Sequence, residues 1–158
     1  MEFSQAIRIA LKEKYATFSG RARRSEYWWF MLFFALAYFA LGILAMALLF
    51  ATGIFQTMER GGDPSGVQVA ALILVAVLAA VIMLGLILPM ISVSVRRLHD
   101  HGRSGWWWLL IWVLSIVPIL GYLVSIGVTI YFALRGTPGP NKFGPDPLAA
   151  NNSAEVFR

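Results

Sequence analysis

Three long stretches of the sequence contain no Asp, Glu, Lys or Arg, and they limit what the chain can fold into. The stretches cover residues 27–55, 67–95 and 106–134, and each is 29 residues long. A helix of that length reaches roughly 43 Å, more than the roughly 30 Å hydrocarbon core of a bilayer. A helix on a soluble core needs a polar face toward water, and these stretches have none. The pattern predicts an all-α membrane protein with three transmembrane helices.

The amino-acid composition favours the same class of protein. Hydrophobic residues make up 59% of the 158 residues and charged residues only 13%. Soluble domains contain roughly 45–50% and about 25% of these residue types. The composition excludes a disordered chain, a coiled coil and an ordinary cytosolic enzyme. The absence of cysteine excludes disulfides, thiolate metal sites and cysteine nucleophiles.

The third stretch is the least regular of the three. Pro118 and Gly121 lie near its middle, and both residues weaken a helix. A break at Pro118–Gly121 would turn the stretch into a re-entrant hairpin and return the tail to the side from which the stretch starts. The two halves would have only about 12 and 13 residues, against about 20 for a full span. Three spans are therefore the favoured interpretation, and the hairpin stays open as the alternative.

The distribution of basic residues predicts the orientation, because loops rich in Lys and Arg stay in the cytoplasm. The Lys and Arg residues number six in residues 1–26, one in 56–66, three in 96–105 and three in 135–158. We expect the N-terminus and the loop 96–105 on the cytoplasmic side, and the loop 56–66 outside. Three spans put the tail outside, which its three basic residues oppose.

The N-terminal segment has the pattern of a short amphipathic helix. Within residues 1–18, Phe3, Ile7 and Leu11 recur at helical spacing. This pattern predicts an interfacial helix that lies in the membrane surface, although a helix packed on its own protein would show the same spacing. We expect residues 1–148 to form a single membrane domain and residues 149–158 to form a flexible tail.

Two clusters of arginine flank the apolar stretches on the expected cytoplasmic face. A net charge of +5 indicates a polyanionic partner, and in so apolar a chain we expect membrane lipid rather than nucleic acid. A guanidinium matches a phosphate bidentately, so the clusters are candidate sites for anionic lipid or for a partner protein. The alternative is that they only set the topology. The candidates are Arg21, Arg23 and Arg24 before the first stretch, and Arg96, Arg97 and Arg103 after the second.

A second group of polar residues is expected to shape the loops. Asp100 stands between His99 and His101, but two such histidines lie about 200° apart on a helix, so their joint binding of a metal needs an irregular loop. The sequence offers no further set of zinc ligands. We expect no metal, no cofactor and no catalytic residue, and we expect Asp100 to pair with an arginine of the N-terminal segment. The group consists of Glu26, His99, Asp100, Asn141 and Asp146.

Three polar motifs occur in a fixed order around the stretches. They are FSGRARRSEYW over residues 18–28, RRLHDHGRSGWW over residues 96–107 and GTPGPNKFGPDP over residues 136–147. Together, over about residues 12–148, they resemble the bacterial domain-of-unknown-function 805 family, the YhaH-like inner-membrane proteins. The resemblance implies a small multi-pass protein of the bacterial inner membrane. It implies no activity.

The favoured function is that of a non-enzymatic membrane protein that binds anionic lipid or partner proteins through its cytoplasmic arginines. One alternative is a small transporter, a channel or a transport accessory subunit. It would act as a homo-oligomer, since three helices are too few to enclose a sizeable polar path. Another alternative is an enzyme acting on lipid headgroups. The stretches contain no charged residue, whereas transporters usually carry ionisable residues there, and this favours the first hypothesis.

Overall fold

The computed structural model of the protein describes residues 1–149, and every regular element in that range is a helix. The predicted all-α class is therefore confirmed. A short π-helix, Ile9–Glu13, continues the first α-helix. The predicted flexible tail, residues 149–158, lies outside the described residues except for its first residue. The α-helices are α1 Phe3–Arg8, α2 Arg24–Ala51, α3 Ile54–Glu59, α4 Gly66–Asp100, α5 Trp106–Leu114 and α6 Pro118–Ala133.

Two of these helices, α2 and α4, are long and apolar enough to cross a membrane. They contain 28 and 35 residues. Large apolar side chains along them are exposed, as Ile43 is to 70% and Leu84 to 66%. A soluble helix would bury such residues, so this surface suits contact with lipid. The first two predicted stretches therefore correspond to two long apolar helices, while α6 is apolar but has only 16 residues.

The chain divides into two compact units. The first unit comprises Met1–Met31 and the chain from Leu88 onward, and the second comprises Leu32–Ile87. In the second unit, the start of α4 is held by the side chain of Gln68. Its Oε1 accepts a hydrogen bond from the Ser65 N–H at 2.8 Å, and its Nε2 donates to the Thr57 hydroxyl at 2.9 Å. These bonds satisfy polar groups at the start of a helix, where no intrahelical partner exists.

Residues 106–134 do not form the single continuous span that the favoured interpretation requires. α5 ends at Leu114, and α6 begins at Pro118. Val117, just before it, has an extended backbone with φ −79° and ψ 118°. Proline lacks an N–H and cannot continue the hydrogen bonds of α5, but its fixed φ suits the first position of a new helix. The broken stretch that the sequence left open as the alternative is the arrangement present here.

The two helices of this stretch form a hairpin. At the turn, a Cβ atom on Gly121 would lie only 2.5 Å from the carbonyl oxygen of Ser115, so glycine permits the close approach. At the other end, the ring of His101, which precedes α5, lies 4.3 Å from the ring of Tyr131 near the end of α6. The stretch therefore starts and finishes at the same end of the first unit, and the residues that follow α6 return to that end.

The N-terminal helix packs against its own protein. Ala6 and Ala10 are fully buried, and the ring of Phe3 meets that of Trp29 edge to face at 5.7 Å. The Ser92 hydroxyl of α4 lies 3.0 Å from the carbonyl oxygen of Lys14. These contacts agree with the alternative interpretation of the amphipathic pattern. A position in the membrane surface stays a prediction.

Candidate functional site

The three polar motifs meet around Asp100, the last residue of α4. The Oδ1 atom of Asp100 accepts a hydrogen bond from Arg21 Nε at 2.9 Å. Its Oδ2 atom accepts one from Arg97, one turn earlier on the same helix. The side chains of Asp100, Arg21 and Arg97 are 6%, 2% and 0% exposed. The group is therefore a buried charge cluster in which two arginines share one carboxylate, and we call it the Asp100 cluster.

The surplus positive charge of the Asp100 cluster is taken up by backbone carbonyl oxygens. Arg97 Nη2 donates to the carbonyl of Phe132 at 2.8 Å and to that of Leu134 at 2.5 Å. These carbonyls belong to the end of α6, where the last four C=O groups lack intrahelical partners and the helix dipole is negative. Arg21 donates through Nη2 to the carbonyl of Thr137 and through Nη1 to that of Gly139, both at 2.6 Å. The arginines of the first two motifs thus bind the backbone that leads into and through the third.

The third motif passes directly against Asp100. The Thr137 N–H donates to the Asp100 carbonyl oxygen at 2.9 Å. A Cβ atom on Gly136 would lie 2.0 Å from Oδ2 of Asp100, a distance that no side-chain atom can occupy. Residue 136 must therefore be glycine for the tail to reach the cluster.

A second buried ion pair lies beside this cluster. Arg96 of α4 is fully buried, and its Nη1 donates to Oε1 of Glu26 near the start of α2. Within residues 1–149, Arg96 Nε and Nη2 have no hydrogen-bond partner. The carbonyl oxygen of Arg96 accepts from the Ala22 N–H at 3.0 Å. Glu26 is therefore the single counter-charge that the described residues offer this guanidinium.

His99 and Asn141 connect the second motif to the other two. His99 Nδ1 lies 3.1 Å from the carbonyl oxygen of Gly20, and its ring stacks on that of Phe143 at 3.9 Å. Asn141 Nδ2 donates to the His99 carbonyl at 3.0 Å and to the Thr137 hydroxyl at 2.9 Å. Both side chains are occupied by contacts within the protein, which shape the third motif.

The carboxylate of Asp146 stabilises the turns of the third motif by accepting hydrogen bonds from nearby backbone N–H groups. Its Oδ1 accepts from the Leu148 N–H at 2.9 Å, and its Oδ2 accepts from the Gly139 N–H at 3.0 Å. Hydrogen bonds from backbone N–H groups, that of Leu148 above all, hold the pKa of Asp146 below its usual value. The carboxylate is therefore charged at neutral pH. Among residues 1–149, no group of three or more His, Asp or Glu side chains could hold a metal ion.

The six predicted arginines do not lie together at the surface. Arg21, Arg96 and Arg97 are buried in contacts with their own chain and cannot meet an external anion. Arg23 is half-buried, and Arg24 is exposed. Arg103 is also exposed but lies elsewhere, with its guanidinium 5.7 Å from the centre of the Trp107 ring. Three of the six candidates are therefore structural within this fold, and three remain accessible.

Arg23 and Arg24 line a cavity of about 190 Å³ next to the Asp100 cluster. Arg135, which directly follows the apolar stretch, lines it as well and is exposed. Arg23 donates to the carbonyl of Pro147 at 2.7 Å, so its direction is fixed. Within residues 1–149, none of these three arginines lies within 4 Å of a carboxylate. We call this cavity the arginine pocket; its lining also includes Arg21, Arg97, Asp100 and Asp146.

Sequence reasoning missed Arg135, Thr137 and the backbone carbonyl of Phe132. A signal existed only for Arg135, because it borders the third stretch just as Arg24 borders the first. The favoured three-span interpretation placed these two residues on opposite sides of the membrane. The hairpin brings both to one pocket.

Comparison with known proteins gives a family and named relatives. The family described as "Protein of unknown function (DUF805)" matches residues 15–145. The chain is 36% identical over 139 residues to the Escherichia coli K12 inner membrane protein YhaH, covering 88% of this chain and 93% of that protein. It is 32% identical over 144 residues to the inner membrane protein YhaI of the same strain, covering 91% and 97%. An uncharacterised protein of that strain, YiiR, is 30% identical over 149 residues, covering 82% and 85%. No solved structure matches the chain.

Proposed function

We propose that the chain, which belongs to the DUF805 family of proteins of unknown function, is a small multi-pass protein of the bacterial inner membrane. The names of the relatives YhaH and YhaI support this location. Two helices long and apolar enough to cross a membrane support the multi-pass arrangement. No activity is established in the family, and the function has to come from the geometry of the site.

The proposed topology has two full spans, α2 and α4, followed by a re-entrant hairpin. α5 has nine residues and is about 14 Å long, less than half of the roughly 30 Å hydrocarbon core. The basic residues of the first two motifs favour a cytoplasmic N-terminus and a cytoplasmic loop after α4. The contacts of the third motif with Arg21 and Asp100 support a cytoplasmic side for the tail as well. The basic residues of the tail agree with this side.

Single cysteines introduced into this cysteine-free chain are expected to report the topology. We expect Asp63→Cys to react with an impermeant maleimide in cells whose outer barrier alone is permeabilised. Lys12→Cys and Lys142→Cys should react only after the inner membrane is opened. All three positions are exposed side chains, so protection reports the membrane rather than burial in the protein. Labelling of position 142 from outside would restore three full spans and contradict the hairpin.

For the function itself, we propose that the arginine pocket binds the phosphate of an anionic lipid headgroup. Five arginines and two aspartates line the pocket, so its net charge is +3. Arg21 and Arg97 are held by Asp100 and by backbone carbonyl oxygens, and Asp146 is hydrogen-bonded to backbone. The arginines that remain available to bind a ligand are Arg23, Arg24 and Arg135. Planar guanidiniums match the oxygens of a phosphate, and the positive end of α2 at Arg24 favours an anion further.

The position of the pocket supports a lipid as the source of the phosphate. Arg24 is the first residue of α2, and Arg135 comes two residues after the end of α6. The start of α2 and the end of α6 therefore both lie next to the pocket. In the proposed topology this level is the headgroup layer. The observation that carries the proposal is this cavity of about 190 Å³ with three arginines that have no carboxylate partner in the described part of the chain.

The double variant Arg24→Gln/Arg135→Gln tests this function. One basic residue near an anionic surface is worth about 1 kcal/mol, so we expect the double change to weaken retention of anionic lipid roughly 30-fold. The measurement is mass spectrometry of the lipids that co-purify in mild detergent at low and high salt. Retention by the unchanged protein should fall with salt, because these charges are exposed.

The matched control is Arg8→Gln/Arg60→Gln. It removes the same charge from two exposed arginines outside the pocket. The control should retain lipid as the unchanged protein does. If the pocket variant also keeps the same lipids in the same amounts, its arginines only set the topology and the proposed function is wrong.

A further inference from the structure

A second cavity lies between the two legs of the hairpin. Its volume is about 290 Å³, and we call it the hairpin groove. Ile111 and Trp107 of α5 form one side, and Gly127 and Tyr131 of α6 form the other. Arg103, in the turn before α5, is the one charged residue that residues 1–149 contribute to its lining. The groove is thus apolar along the hairpin and basic at the end where the hairpin starts.

The glycine in α6 contributes to the space within the groove. An added Cβ atom at Gly127 would meet no other atom within 4 Å, so the position faces open space. Glycine in the middle of a helix costs roughly 0.5–1 kcal/mol relative to alanine. Here the missing side chain leaves room between the hairpin legs. The room suits an apolar chain, because the lining beside it consists of aliphatic and aromatic side chains.

Arg103 is positioned to bind an anion at the end of the groove. Its guanidinium lies over the face of Trp107, 5.7 Å from the ring centre, and this cation–π contact limits its orientations. Within residues 1–149 it has no carboxylate within 4 Å. The neighbouring carboxylate in sequence, Asp100, has both oxygens occupied by Arg21 and Arg97. Among the described residues, the groove therefore offers no free carboxylate to the ammonium group of a zwitterionic headgroup.

We propose that the hairpin groove binds one molecule of an anionic phospholipid, with an acyl chain between α5 and α6 and the phosphate at Arg103. The apolar lining accounts for the acyl chain, and the guanidinium of Arg103 accounts for the phosphate and for the preference over zwitterionic lipid. This site is separate from the arginine pocket, since the two cavities share no lining residue. The two proposals can therefore be tested independently.

Delipidated protein in detergent, titrated with phosphatidylglycerol or phosphatidylcholine and observed by native mass spectrometry, tests the groove. Filling it through the series Gly127→Ala and Gly127→Leu should lower the binding of both lipids progressively. Arg103→Gln should lower the binding of phosphatidylglycerol roughly five-fold, the value of one basic residue, and leave phosphatidylcholine unchanged. A phosphatidylglycerol with hexanoyl chains should bind more weakly than one with oleoyl chains.

The matched controls are Gly42→Leu and Arg60→Gln. Gly42 of α2 also faces open space, and Arg60 is exposed, so each control makes the same chemical change away from the groove. The controls should bind both lipids as the unchanged protein does. Equal losses in Gly42→Leu and Gly127→Leu, unaltered binding in the whole Gly127 series, or equal binding of the hexanoyl and oleoyl lipids would each overturn the proposal. The Arg24→Gln/Arg135→Gln variant should keep the groove lipid, which separates the failure of one site from that of the other.

Discussion

Asp100→Asn is expected to destabilise the protein by about 3–5 kcal/mol, because it removes the one negative charge shared by two buried arginines. Arg21 and Arg97 would keep their carbonyl partners but lose their counter-charge. Breaking a buried pair on one side is costly since the remaining charge stays out of water. Denaturant or thermal unfolding in detergent measures the change. Asp63→Asn is the matched control, and it should leave stability unchanged because Asp63 is exposed and in no ion pair within residues 1–149.

A double-mutant cycle identifies the partner. Removing Arg21 from a protein that already carries Asp100→Asn should cost less than Arg21→Gln costs alone, because the two side chains interact directly. Additive effects would show that the pair contributes nothing. An Asp100→Asn protein with normal stability but no cellular function would contradict the structural role and indicate a catalytic one.

Glu26→Gln is expected to have an effect of similar size. Arg96 is fully buried, and Glu26 is the single carboxylate that reaches it among the described residues. We expect a loss of about 3–5 kcal/mol in the same unfolding experiment. Glu13→Gln is the matched control, since it breaks the Arg8–Glu13 pair, whose side chains are 74% and 49% exposed. Exposed pairs contribute about 0–1 kcal/mol.

The combined variant Glu26→Gln/Arg96→Met separates lost charge from lost packing. Replacing both members of a buried ion pair removes the uncompensated charge, and replacement by hydrophobic residues of similar volume is often neutral or stabilising. We therefore expect the double variant to recover most of the stability that Glu26→Gln loses. A double variant no more stable than Glu26→Gln alone would show that the loss does not come from the uncompensated arginine.

The absence of charged residues over long stretches was enough to predict α2 and α4. A helix of that length with no polar face has few alternatives to a membrane. The structure of the third stretch was harder to predict, although Pro118 indicated a break in the helix. The length of the halves argued against two spans, and a hairpin that returns to its own side does not need to span. The hairpin is evident from the contact of Tyr131 with His101 and from the contact of the end of α6 with Arg97. No periodicity in the sequence reveals either contact.

The arginines show a different limit of sequence reasoning. Arg23 and Arg97 look alike in the sequence, since both stand in a basic cluster next to an apolar stretch. Their burial differs because Arg97 finds carbonyl oxygens at the end of α6. A carbonyl group occurs in every residue and leaves no mark in the sequence, so its role as an acceptor follows only from the fold. Pairing of Asp100 with an N-terminal arginine could be anticipated, because few acids are available at that end.

The contacts of the buried arginines imply an order of assembly during synthesis. Arg97 completes its hydrogen bonds only on the carbonyls of Phe132 and Leu134, and Arg21 only on those of Thr137 and Gly139. Chains emerge from the ribosome N-terminus first, so these carbonyl acceptors are synthesised after both arginines. A chain that stops before α6 carries both arginines and their shared carboxylate, Asp100, but lacks the carbonyl oxygens that take up the second positive charge. The native state of this end therefore forms only in a chain that has been translated through the third motif.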